Sequence, residues 1–122
     1  MTYHELNQIL KGCLANPESV AHRMVYADSL TDFGLEDHAR LVRHIAHNQW
    51  CRVDGTTNTY QFWRVTVWRV DPGERQKWTW RLTMSKEVEG NIHTLVGRSW
   101  GLANAQRRAY RELLTHHWKR GC

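Results

Sequence analysis

The chain has no long hydrophobic run. Its uncharged apolar stretches stop far short of the roughly 20 residues a helix needs to cross a bilayer, which excludes a helical membrane span. Cysteine is scarce, and the three present, Cys13, Cys51 and Cys122, form an odd and scattered set that is no disulfide framework. No basic-then-apolar leader precedes a small-residue cleavage site, so the expected compartment is the cytoplasm. Signatures of catalysis are missing as well: there is no Ser/His/Asp pattern, no nucleophile elbow and no glycine-rich phosphate loop. The acidic pairs Glu36-Asp37 and Glu87/Glu89 fall in expected turns, where solvated charge is the ordinary state. Neither an enzymatic activity nor a cofactor is expected.

Acidic residues are the scarcer charge, 12 against 17 basic ones, for a net charge of +5 and a pI near 9.4. Thirteen of the 17 are arginine, whose flat, permanently charged fork suits phosphates, carboxylates and aromatic faces. At 122 residues and 41% hydrophobic content the chain fits one globular domain or two small units. Seven tryptophans are unusual for this length, and five of them (Trp63, Trp68, Trp78, Trp80, Trp100) cluster together. Most must be core anchors, leaving one or two as contact residues.

The first 50 residues carry helical periodicity. Leu6, Ile9, Leu10, Cys13 and Leu14 have the spacing of one helix face, with Thr2 and Glu5 at capping-box spacing. Asn16-Pro17 is expected to end that helix, with Pro17 opening the next. The second helix runs to about Phe33 with Val20, Met24, Ala27 and Leu30 inward, and Gly34 supplies its left-handed stop. A third, from Leu35 or Glu36 to about Asn48, turns Ala39, Val42, Ile45 and Ala46 inward.

The stretch Asn16-Pro17, Arg23-Met24-Val25-Tyr26-Ala27-Asp28-Ser29-Leu30, Gly34, Ala39-Arg40, Val42-Arg43 resembles the bacterial repeat-companion domain over about 40 residues. Where that family has Trp the chain has Ser29, and Thr31-Asp32 stands where acidic residues are usual. The resemblance implies a helical fold and no known catalysis. Tyr26 and Asp28 are expected to form a polar pair that holds helix packing rather than a ligand site.

Residues 51–58, polar and glycine-bearing, read as a linker, and beyond them the period changes to two. Tyr60 to Val70 sets Trp63, Val65 and Val67 against Phe62, Arg64, Thr66 and Trp68. Asp71-Pro72-Gly73-Glu74 is turn chemistry, and Lys77 to Met84 sets Trp78, Trp80, Leu82 and Met84 against Lys77, Thr79, Arg81 and Thr83. A turn over Glu87–Asn91, a third strand over Ile92–Ser99 and a helix from Leu102 to about Trp118 complete residues 59–122. That helix turns Leu102, Ala105, Ala109, Tyr110 and Leu113 inward and Asn104, Arg107, Arg108 and Arg111 outward. The expected fold class is therefore α+β: an N-terminal three-helix unit over 1–50, then a three-stranded antiparallel meander covered by a C-terminal helix. The meander's second face is expected to be open or covered by the first three helices. The β-β-β-α order is similar to double-stranded-RNA-binding domains, without their lysine-rich helix start. Phe62-Trp63-Arg64-Val65 and Trp118-Lys119-Arg120-Gly121 faintly resemble a WGR domain, although Trp100-Gly101 is misplaced for its signature.

Two site hypotheses emerge. His44, His47 and Cys51 at i, i+3, i+7 would line one helix face, but a closed zinc site needs a fourth ligand, so no metal is expected; His116-His117 with Cys122 is weaker still. The stronger signal is arginine interleaved with aromatics: Arg64, Trp68 and Arg81 on one sheet face, and Arg107, Arg108 and Arg111 on the outer helix face, followed by Lys119 and Arg120. Trp and Arg dominate protein–protein hot spots, and the same pair holds single-stranded nucleic acids. A bacterial or phage accessory regulator or inhibitor acting through a protein partner is the leading expectation. DNA or RNA binding is the alternative, and solvated surface the plain one.

Overall fold

The computed structural model describes residues 1–69, 77–86 and 91–120, without the side chains of 84–86, 91–93 and 116–120. The fold is α+β, with three N-terminal helices, an antiparallel sheet and a C-terminal helix. The chain divides into two units, one of residues 1–48 and 114–122 and the other of 49–113. The expected turns at 71–74 and 87–90, and Cys122, lie outside the described residues.

In the first unit, helix α1 (Tyr3–Ala15) starts at Thr2, whose hydroxyl accepts from the Glu5 backbone N–H. Leu6, Leu10 and Cys13 are buried along its inner face. Helix α2 (Val20–Asp32) is capped by Ser19, which accepts from the His22 N–H, so Pro17 precedes the helix and does not open it. A side-chain acceptor satisfies an orphan N–H, which Pro17 in the first turn would not do. Its buried face is rotated from expectation. Arg23, Tyr26, Ala27, Ser29 and Leu30 are inside, while Met24 is exposed.

The reason for that rotation is Arg23, wholly buried yet satisfied. Its guanidinium donates to the carbonyls of Ala46 (2.5 Å), Asn48 (2.8 Å) and Pro17. It ties the start of α2 to the end of helix α3 (Glu36–Ile45). Gly34, at φ +92, makes the turn between these helices. Ala39, Val42, Ile45 and Ala46 are fully buried, as the spacing predicts, joined by His38. Tyr26 and Asp28 do not pair with each other, because residues two apart lie on opposite sides of a helix. The Tyr26 hydroxyl donates to the Leu114 carbonyl (3.0 Å), and Asp28 meets Arg43 (3.2 Å).

The second unit holds a five-stranded sheet in the order β1-β2-β3-β4-β5, two strands more than the expected three. Strand β1 (Cys51–Arg52) lies in the segment expected to be linker, and the expected strand over Tyr60–Val70 is two, β2 (Thr59–Phe62) and β3 (Val65–Trp68). A two-residue turn, Trp63-Arg64, joins them, with Phe62 opposite Val65 and Trp63 at φ 51. Directly opposed residues share a face. Phe62 therefore belongs to the buried face with Val65 and Val67, and Trp63 and Arg64 belong to neither face.

Strand β4 (Lys77–Lys86) pairs with β3, and β5 (Asn91–Trp100) pairs with β4 along ten residues without a bulge. Trp78, Trp80 and Leu82 are buried, as the alternation predicts. Helix α4 (Leu102–Arg120) begins after Gly101, at φ +76. Its Ala105, Ala109, Tyr110 and Leu113 are buried, and Tyr110 stacks edge-on against Phe62 with centroids 5.5 Å apart. That contact places the helix on the sheet face carrying Phe62, Val65, Val67, Trp78, Trp80 and Leu82. From Leu114 onward α4 belongs to the first unit.

Candidate binding face of the sheet

The strand registers collect the second face of the sheet. Trp68 is opposite Thr79, which is opposite Arg98; Thr66 is opposite Arg81, which is opposite Val96; and Lys77 is opposite Trp100. Alternation puts Gln61, Thr66, Trp68, Lys77, Thr79, Arg81, Val96, Arg98 and Trp100 on this side. Arg81, Val96, Arg98 and Trp100 are exposed, Val96 by 61% and Trp100 by 62%. Val96 and Trp100 are the two most exposed of the large apolar side chains described, and they flank Arg98 on this one face.

The cations are arranged on the rings. The Arg81 guanidinium carbon lies 5.6 Å from the Trp68 centroid, and the Lys77 ammonium 5.2 Å from that of Trp100. The alternating positions of the described strands bring no Asp or Glu to this face. On the described strands the face carries indole, guanidinium and ammonium groups.

Of the residues singled out from sequence, Trp68 and Arg81 come together. Arg64 does not join them. It occupies the β2–β3 turn and stacks over its neighbour Trp63 at 4.9 Å, because the two-residue turn interrupts the alternation that would have aimed it outward. Arg107, Arg108 and Arg111 are exposed on α4, which packs on the other side of the sheet, so they form a separate basic surface. Lys119 and Arg120 lie in the last turn of α4, and their side chains are outside the described ones. Val96, Arg98 and Trp100 are additions. Their face is assigned by the β4–β5 register, because Leu95 and Val96 are both apolar and the sequence period alone does not choose between them.

The metal hypothesis loses its geometry. Helix α3 ends at Ile45, so His47 falls in a turn and Cys51 on β1 instead of on a common helix face with His44. Among the described residues no group of three His, Cys, Asp or Glu is placed to hold a metal ion. No described helix is long and apolar enough to cross a membrane. No family model, no curated protein and no solved structure matches the chain.

Proposed function

We propose that the chain is a small non-catalytic binding protein, a bacterial or phage accessory regulator or inhibitor. In this proposal it works in the cytoplasm by docking a protein partner on the second face of its sheet. The observation that carries it is the exposure of Val96 and Trp100 beside Arg81, Arg98 and Trp68 on one face. Trp and Arg are the residue types that dominate protein hot spots.

Two features favour protein over nucleic acid. The ring faces on which bases would stack are already associated with Arg81 and Lys77. The further arginines, Arg107, Arg108 and Arg111, lie on the helix covering the opposite sheet face, so a single strand would have to wrap the unit to reach both sets. Nucleic acid keeps one observation of its own. Residues 49–113 hold eleven Lys and Arg against six Asp and Glu, whereas the rest of the chain holds six of each.

Affinity capture with the wild-type chain and with a Trp100→Ala, Arg98→Ala double variant tests the proposal. A partner protein retained by the first and lost by the second, with modest salt dependence, is expected. Titration with random single-stranded DNA and RNA is the counter-test. Binding tighter than about 1 μM at physiological salt, falling steeply as salt rises, would overturn the protein reading.

A further inference from the structure

Two buried polar atoms lie on the sheet face that α4 covers, the Trp80 indole Nε1 and the Ser99 hydroxyl. Their residues are 7% and 8% exposed, and neither atom has a hydrogen-bond partner among the described residues. The register makes them neighbours. Trp80 is opposite Gly97 on β5, and Ser99, opposite the buried Trp78, is the next residue of β5 on the same face. Gly97 sets where the indole N–H lies. A Cβ there would stand 2.4 Å from one ring carbon and 2.7 Å from Nε1, so the N–H edge of the ring fills the space a side chain would take. The Ser99 Cβ is about 7 Å along the strand from that position, two residues at about 3.3–3.4 Å each. A water with hydrogen bonds of about 2.8–3.0 Å on either side spans up to about 6 Å, which is the scale of that separation.

Independently of the docking proposal above, we infer that Trp80 Nε1 and Ser99 Oγ hold one internal water on the buried face of β4 and β5. The chemistry of the two groups selects this occupant. An indole N–H only donates, which rejects a cation, whereas a hydroxyl both donates and accepts. An anion buried against two neutral groups would keep most of its desolvation cost. A neutral water accepts from the Trp80 N–H and donates to the Ser99 hydroxyl, so both buried groups are satisfied with their side chains in place. Gly97 is then the residue that makes the site, because any larger residue would push the indole N–H away from Ser99.

Nuclear magnetic resonance and thermal melts of the full chain test this. The Trp80 indole N–H is identified by its NOE to the Gly97 Hα protons, against which the ring lies. It is expected to show an NOE to water with the sign of a water that tumbles with the protein. Ser99→Ala should abolish that cross-peak and lower Tm by about 2–5 °C, as one hydrogen-bonded group is lost. In a Trp80→Phe background, where the N–H is already gone, the Ser99→Ala shift should disappear. A slowly exchanging indole N–H with no NOE to water overturns the inference, by giving that donor a protein acceptor. A Tm that rises or stays the same for Ser99→Ala also overturns it, because removing a buried hydroxyl that has no partner is not destabilising. A water NOE that survives Ser99→Ala unchanged, or a Tm shift undiminished in the Trp80→Phe background, overturns the shared site by leaving each group its own partner.

Discussion

A Cβ at Gly97 would lie 2.4 Å from a ring carbon of Trp80, directly opposite on β4, so no side chain fits there unless the indole moves. Trp80 is 7% exposed and fills the space that glycine leaves. Trp80→Ala should therefore cost about 3–5 kcal/mol in urea melts, as a buried aromatic lost from a core. Gly97→Ala should cost about 1–3 kcal/mol through overpacking. In the Trp80→Ala background the same glycine substitution should be nearly harmless, and a double-mutant cycle measures that coupling. Arg23 makes the opposite point, a charged side chain whose burial is stabilising because three carbonyls receive it. Arg23→Met should cost about 3–5 kcal/mol, since the fork leaves buried carbonyls unsatisfied. Arg23→Lys should recover little of that, because a point donor cannot span three acceptors. Additive behaviour at Trp80 and Gly97, or full recovery by lysine, would contradict these contacts.

Elements were legible where one period ran unbroken. The inner faces of α3 and α4 and the buried alternation of β4 follow the spacing because each buries a single apolar stripe. The β2–β3 boundary was hidden, since Trp63 and Arg64 are poor turn formers and the alternation reads straight through them. Helix α2 misled for a related reason: an arginine occupies the place where an inward apolar residue is looked for. The candidate face was half legible. Trp68 and Arg81 follow from the period of two, whereas adjacent Leu95 and Val96 are both apolar, so only the register with β4 assigns β5 its faces. The Trp63 turn carries its own expectation. A bulky residue at φ 51 holds about 1–3 kcal/mol of strain, and its ring is only half-buried. Trp63→Gly relieves that strain and should cost less than about 1 kcal/mol by urea melt, a small fraction of the Trp80→Ala loss. A cost as large as that of Trp80 would place Trp63 in the core after all.

At the scale of the molecule, charge and chain path are both unevenly divided. Residues 49–113 carry the whole positive excess, and the remainder is neutral by count. The N-terminal helices do not form their unit alone, because it includes the end of α4. The Leu114 carbonyl accepts from both the Tyr26 hydroxyl and His38 Nε2, and since a carbonyl only accepts, that nitrogen carries the proton. Leu114 and Thr115 are themselves fully buried. Truncation after Leu113 would remove the acceptor and leave two buried donors, each costing about 1–3 kcal/mol. Loss of the Leu114 side chain adds about 2–5 kcal/mol. That total is comparable with the 5–15 kcal/mol stability of a whole small domain. Hydrogen exchange should accordingly show residues 20–45 losing most of their protection in the truncated chain, while amides of 77–86 keep theirs. Tyr26→Phe in the full chain should cost only about 1 kcal/mol, because the carbonyl retains His38. Equal loss in both regions, or protection of α2 and α3 unchanged by truncation, would show that α4 contributes nothing specific to the helical unit.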